Sequence, residues 1–376
     1  MTGISFARTD TSILGRWWWT VDRLTLGAVM LLMGIGIWLT LSASPSVAER
    51  IGAGSLHFVH RQMAFAPLTL LIILAVSLIK PVSVRRLAVV GFIASAVLMV
   101  LTLFFGPEVK GATRWLMVGG FSLQPSEFIK PTFAVVAAWM FAEHRRQQGF
   151  PGNHIAIGLF LLVVALLLLQ PDVGMTFVVT VVWGVQFFLA GLPMAFVFIL
   201  GVAGLALLVV AYFTFDHVAS RVDRFLDPSS GDSYQVRKAM EAFHNGGLTG
   251  TGPGEGSVKL DLPDAHTDFV FAVAGEEFGV FLCLGLVALF AFIMLRGFAR
   301  LFHESNMFVM LAACGLLVQF ALQAIINMAS TLHLMPTKGM TLPFISYGGS
   351  SMLGLGLGMG MVLALTRTRM DDGGLS

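Results

Sequence analysis

Charge is what this chain has least of: 12% of its 376 residues are Asp, Glu, Lys or Arg, against roughly 25% in an average soluble domain. The net charge of +2 is too small for a nucleic-acid binder. Cysteine is nearly absent. Cys283 and Cys314 both fall in apolar runs, which supports neither a disulfide framework nor a thiolate metal site and leaves them as small apolar side chains. The glycine-rich stretch GGLTGTGPGEGS at 246–257 lacks the Gly-Lys-Ser/Thr ending of a nucleotide-phosphate loop. It reads instead as a mobile loop able to fold over a ligand.

What the chain has in excess is apolar length, with 56% hydrophobic residues. Runs long enough to span a bilayer recur from end to end. They lie at about 24–43, 62–79, 87–105, 128–142, 154–170, 173–191, 194–213, 269–295, 307–329 and 345–365. The fold class expected is therefore an all-α polytopic membrane protein of about ten transmembrane helices, with one long loop at 214–267 between the seventh and eighth. The first run exceeds a signal-peptide core and nine more follow, so it reads as an uncleaved helix. Trp17, Trp18 and Trp19 before it read as an interfacial belt.

Arginine and lysine set the orientation. With the amino terminus in the cytoplasm, the inner segments receive Arg8, Arg16 and Arg23, then Lys80, Arg85 and Arg86, then Arg145 and Arg146, then Arg296 and Arg300, and finally Arg367 and Arg369. A single membrane domain covering 1–376 then has a cytoplasmic segment at 1–22, a cytoplasmic tail at 366–376 and an external 214–267 loop.

Ionisable groups at membrane depth are costly and mark wet cavities or substrate sites. Asp268 sits where the long loop meets the eighth span, and Glu276 and Glu277 lie two helical turns further in. His266 beside it is either a proton carrier or an interfacial histidine held by a local bond. The loop at 106–127 carries Lys110, Arg114 and Glu127, with Lys130 one turn into the next helix. These groups either bind an anionic lipid head group or pair internally at i,i+3. Asp172, after Gln170-Pro171, either orients a substrate or caps the next helix. Lys338 and Ser346 lie in a broken, proline- and glycine-rich stretch before the last span. There Lys338 pairs with Asp268, meets phosphate, or snorkels to the interface. Gly354, Gly356, Gly358 and Gly360 read as close helix packing.

QPSE at 124–127 with Lys130, QPDVG at 170–174, FLDP at 225–228, LPDAHTDFVFAVAGEEFG at 262–279 and PTKGMTLPFISYGGSS at 336–351 run in order along the chain. On these motifs the chain resembles the SEDS family of bacterial shape, elongation, division and sporulation proteins, and its 337–346 wording is that of the division branch. Asp264, where glutamate is usual, and Met175, where threonine is usual, depart mildly from the pattern. The resemblance implies a peptidoglycan glycosyltransferase that polymerises lipid II in the inner membrane at the septum. Asp268 would match the essential loop aspartate, and Lys338, Lys130, Glu127, Arg114, Lys110, Asp172, His266, Glu276 and Ser346 would be substrate-binding candidates. It also implies a class B penicillin-binding protein as transpeptidase partner, together with other membrane proteins of the division machinery. Mg²⁺ or Mn²⁺ would suit a pyrophosphate leaving group, although the residues offer no closed ligand set. A lipid II flippase and a non-catalytic division scaffold are the alternatives the residues leave open.

Overall fold

A computed structural model of the chain describes residues 12–108, 112–226, 234–336 and 338–368. The elements begin with α1 (Ile13–Thr20), α2 (Arg23–Arg50), α3 (His57–Ser77) and α4 (Pro81–Phe105). A hairpin of β1 (Leu116–Val118) and β2 (Phe121–Leu123) precedes α5 (Ser126–Arg146), α6 (Gly152–Leu169), α7 (Val173–Leu189) and α8 (Met194–Thr214). Then come α9 (Asp216–Leu226), α10 (Tyr234–Gly246), a single 3₁₀ turn at Val258–Leu260, α11 (Val270–Leu301), α12 (Met307–Thr331) and α13 (Gly349–Leu365).

Each of the ten expected spans coincides with a helix, namely α2 to α8 and α11 to α13. Among the described residues α2, α3, α4, α6, α11 and α12 are long and apolar enough to cross a bilayer unaided. The helices α7 and α13 have 17 residues each, about 26 Å at 1.5 Å per residue, slightly short of a 30 Å hydrocarbon core. Both start from irregular backbone, at Asp172 and Gly348, that makes up the remaining depth. The helix α5 carries Glu127 and Lys130 in its first turns and Glu143, Arg145 and Arg146 near its end. It tolerates them because it stands inside the bundle against α4, α6, α7, α12 and α13, almost wholly buried in protein rather than lipid. The last helix lies along α3, where Cβ atoms added at Gly356 or Gly360 would run into Thr69, Ile73 or Val76, as expected of packing glycines.

The structure differs from the sequence expectation in two places. The 214–267 segment is not one loop: α9 and α10 form within it, and α10 buries Ala239, Ala242 and Gly246 against α11 while its charged face stays outside. The eighth span is not one helix either, because Gly279 breaks α11 with φ 71° and ψ −169°. The break is filled by the glycine-rich stretch. Thr251 and Gly252 donate main-chain bonds to the carbonyls of Glu276 and Glu277, at 2.9 and 3.0 Å, and Val280 donates to Gly247 at 3.0 Å. A Cβ at Gly246 or Gly250 would collide with the backbone of 275–278, so only glycine permits this approach. The stretch expected to act as a mobile lid is thus bonded into α11.

Candidate active site

Alternating helix directions put both described ends of the chain on one side of the bundle. On the opposite side a cavity of about 290 Å³ opens. Its wall collects Arg61 from α3, Arg114 and Trp115 from the segment before the hairpin, Glu127 from the first turn of α5, and Asp172 from the N-cap of α7. Asp268 enters from the turn before α11, and Gly339 to Thr341 and Tyr347 to Ser351 close the remaining side.

The position of Asp268 is fixed by main-chain bonds. Its N–H donates to the carbonyl of Asp264 at 3.1 Å. Its carbonyl accepts from the side chains of Asn327 at 3.0 Å and Thr331 at 3.4 Å. Asn327 also donates to the Met340 carbonyl at 2.6 Å, tying the 339–341 strand to the same point. A Cβ at Gly339 would lie 2.9 Å from Oδ2 of Asp268, so the carboxylate passes directly over a bare backbone. Ser346 works from behind: its hydroxyl donates to the Thr267 carbonyl at 2.5 Å and accepts from the Leu342 N–H at 2.8 Å.

The charges below Asp268 form a network. Lys130 bonds Glu127 at 2.8 Å and Gln323 Oε1 at 3.1 Å, which makes the i,i+3 pair real and fully enclosed. Asp172 caps α7 by accepting from the Met175 N–H at 3.1 Å and also lies 3.7 Å from Arg114. Arg114 donates to the carbonyls of Gln170 and Pro171. Lys338 neither snorkels nor pairs with Asp268. Its stem lies against Gly174, where a Cβ would fall 1.4 Å from Cε, and its Nζ makes no hydrogen bond among the described residues. Burial pushes Lys338 down to about 7; nearby Asp172 and Glu127 oppose that shift, and Lys130 and Arg114 add to it.

Five candidates have no place on the cavity wall: Lys130, Lys338 and Ser346 lie behind it, and Glu276 and His266 serve other contacts. Glu276 is fully buried and accepts from the N–H groups of Val258 at 2.7 Å and Lys259 at 2.8 Å and from Asn245 at 2.9 Å. It anchors the glycine-rich stretch and has no wall position in the cavity. His266 stacks between Phe58 and Tyr347, with ring centroids 4.0 and 5.5 Å away. Burial lowers its imidazole to about 4, so the ring is neutral near pH 7. Lys110 lies outside the described residues.

Sequence reasoning missed Arg61, Gln323, Asn327 and Lys259. Arg61 had a signal, since it is a cation on the side that the orientation rule leaves poor in positive charge. Gln319, Gln323 and Asn327 recur every four residues on one face of α12, a polar stripe in an otherwise apolar span. Gln323 joins Lys130 to Thr341 and Ser351. Lys259 is buried in an ion pair with Glu277 and bonds Ser42 at 2.8 Å, bracing the break in α11 from the far side.

Residues 22–371 match the family model of FtsW, RodA and SpoVE, described as cell cycle protein. The chain is 47% identical over 352 residues to the probable peptidoglycan glycosyltransferase FtsW of Caulobacter vibrioides, covering 93% of this chain and 90% of that one. With the protein of the same description from Hydrogenovibrio crunogenus it shares 38% identity, over 89% and 88% of the two chains. Among solved structures, it superposes with a TM-score of 0.77 and 29% identity on a chain described under structural coordination of polymerization and crosslinking by a peptidoglycan synthase complex. That match covers 94% of this chain and 99% of the other. The rod shape determining protein RodA of Thermus thermophilus matches at a TM-score of 0.71 and 27% identity, with the same coverage.

Proposed function

The chain belongs to the FtsW, RodA and SpoVE family of cell cycle proteins, and from that premise we propose that it is a peptidoglycan glycosyltransferase polymerising lipid II for the septal wall. The observation that carries the reading is the union, in one cavity on the side away from the termini, of the Asp268 carboxylate with the guanidinium groups of Arg61 and Arg114, while the other two wall carboxylates, Asp172 and Glu127, lie beside Arg114 and Lys130. A glycosyl transfer from a lipid pyrophosphate needs a base at the attacking hydroxyl and positive charge at the leaving group.

Asp268 takes the proton from the 4-hydroxyl of the acceptor's N-acetylglucosamine as that oxygen bonds to the donor's anomeric carbon. The bond from that carbon to the pyrophosphate breaks, and undecaprenyl pyrophosphate leaves with the electron pair. A positioned carboxylate supplies roughly 10²–10⁴-fold by such proton transfer. Arg61 and Arg114 face the departing phosphates from the wall, with Lys130 and Lys338 adding positive charge behind them. The 290 Å³ volume is at the small end for ligand sites of about 300–1,000 Å³ and suits the reacting groups alone. The lipid tails and the growing strand then lie outside it.

No three His, Cys, Asp or Glu side chains among the described residues are grouped to hold a metal ion. A bound Mg²⁺ or Mn²⁺ would draw most of its oxygen ligands from the pyrophosphate, with Asp172, Glu127 and Asp268 the carboxylates on the same wall, and would supply additional charge to the leaving group. The steps above do not pass through it.

Placing the termini in the cytoplasm follows from the arginines on their side and puts the cavity in the periplasm, where polymer is made. The transpeptidase partner of this reading is a class B penicillin-binding protein, in line with the synthase complex that this fold matches, and other division proteins of the membrane would surround the pair. The test is polymerisation of purified lipid II in detergent, where there are no leaflets to flip between. Glycan strands from the protein with its partner, surviving a penicillin that blocks only crosslinking, are expected. A tight complex that makes no strands, with or without divalent metal, would favour a transporter.

A further inference from the structure

On the side of the termini, far from Asp268, a second cavity of about 550 Å³ lies where the first turn of α4, the last turns of α5 and the start of α12 meet. Three arginines border it: Arg85 from α4, and Arg145 and Arg146 from α5. Glu143 is the one carboxylate on its wall, and that carboxylate is already taken, by Trp139 Nε1 at 3.3 Å and Gln147 at 2.6 Å. Arg145 leans away to the Ala190 carbonyl at 2.9 Å. Arg85 lies over the Trp139 ring, 4.6 Å from its centroid, and neither Arg85 nor Arg146 forms an ion pair among the described residues.

The cavity therefore keeps a surplus of positive charge, three arginines against the one carboxylate of Glu143, whose hydrogen bonds go to neutral donors, and it does so at a membrane boundary. Its rim turns apolar at Val82, half exposed toward the lipid, and at Met307 and Phe308. A cationic floor, an indole at interface depth and an apolar flank match the three zones of a glycerophospholipid: phosphate, glycerol and acyl chain. An acidic peptide would use the charge and leave the apolar flank without a purpose.

We propose that this cavity binds the phosphodiester head group of an anionic phospholipid from the leaflet on the side of the termini, with Arg85 and Arg146 as its charged contacts and Trp139 packing the glycerol. Such a lipid would clamp α4, α5 and α12 together at one end. At its other end α5 carries Glu127 and Lys130, so the clamp bears on the helix that supports the far cavity.

The test uses the full-length protein in a neutral detergent, with native mass spectrometry reading retained phosphatidylglycerol and, in parallel, phosphatidylcholine. The expected result is preferential retention of phosphatidylglycerol, weakened on the order of tenfold or more in Arg85→Gln/Arg146→Gln and undiminished in Glu143→Gln. If the double variant fails to fold, the wild-type comparison of the two lipids still decides. Equal retention of both lipids, or loss of phosphatidylglycerol to the same concentration of inorganic phosphate, would overturn the proposal. A poly-glutamate peptide that binds while phosphatidylglycerol does not would assign the cavity to a protein partner instead.

Discussion

A methyl group on Gly339 would lie 2.9 Å from Oδ2 of Asp268, closer than carbon and oxygen pack. The proposed base is therefore seated against a backbone that has room for hydrogen alone. Gly339→Ala is expected to fold and to push the carboxylate off its line of attack. The polymerisation rate should fall about ten- to hundredfold, since misplacement by about 1 Å costs that much in positioned catalysis. An initial-rate assay with purified lipid II checks it, and an unchanged rate would show that the position of Asp268 is not critical.

Asn327 bridges the carbonyls of Asp268 and Met340 with one side-chain amide. Asn327→Leu keeps the branched shape and removes both donors, leaving two carbonyls without that partner. The expected cost is about 1–3 kcal/mol of stability, with a drop in turnover larger than the drop in lipid II binding. Separate measurement of kcat and KM distinguishes this positioning role from a purely structural one, which would lower only the folded fraction.

Ten spans, their order and the importance of 262–268 and 336–351 were legible because hydropathy and misplaced charge are local signals. What the chain does with Glu276 and the 246–257 glycines was not legible. A membrane acid near a candidate catalytic one looks functional until its three hydrogen-bond donors are seen, and glycines read as mobility until the helix they cross is in place. Lys338 shows a related limit: beside glycine and proline it could pair with Asp268, meet phosphate or snorkel, and only Gly174, far away in sequence, vacates the space that takes it inside. Asn327 and Arg61 were readable in principle, by the four-residue polar stripe and by a cation on the wrong side.

Lys338 titrates near 7 because it is buried, and an incoming pyrophosphate would raise that value. Binding then takes up a proton, so substrate affinity is highest below about pH 7 and declines as the pH rises. KM for lipid II should increase between pH 7 and 9 in the wild type. Lys338→Arg, which cannot lose its charge in that range, should flatten the trend. A KM equally pH-dependent in both proteins would remove Lys338 from pyrophosphate binding.

His266 sits near 4 in the folded chain against 6.5 for the free side chain, lowered by burial. Between those values the unfolded chain holds a proton that the folded one lacks, so stability is complete above pH 6.5 and declines as the pH falls toward 4. Thermal unfolding in detergent should show this decline. His266→Gln should show less of it, and the same variant should leave the activity profile between pH 6.5 and 8 unchanged in shape. A shifted activity profile would assign the histidine a proton-carrying role.

The most direct measurement is glycan-strand formation from purified lipid II by the Asp268→Asn protein, combined in detergent with the class B penicillin-binding protein proposed as its partner and compared with wild type at equal folded concentration. The amide keeps the shape of the carboxylate and its contacts with the backbone, but it does not take up a proton from a hydroxyl. Strands are expected from wild type and none from Asp268→Asn, with partner binding equal in both. Strands from Asp268→Asn at the wild-type rate would contradict the role of Asp268 as base.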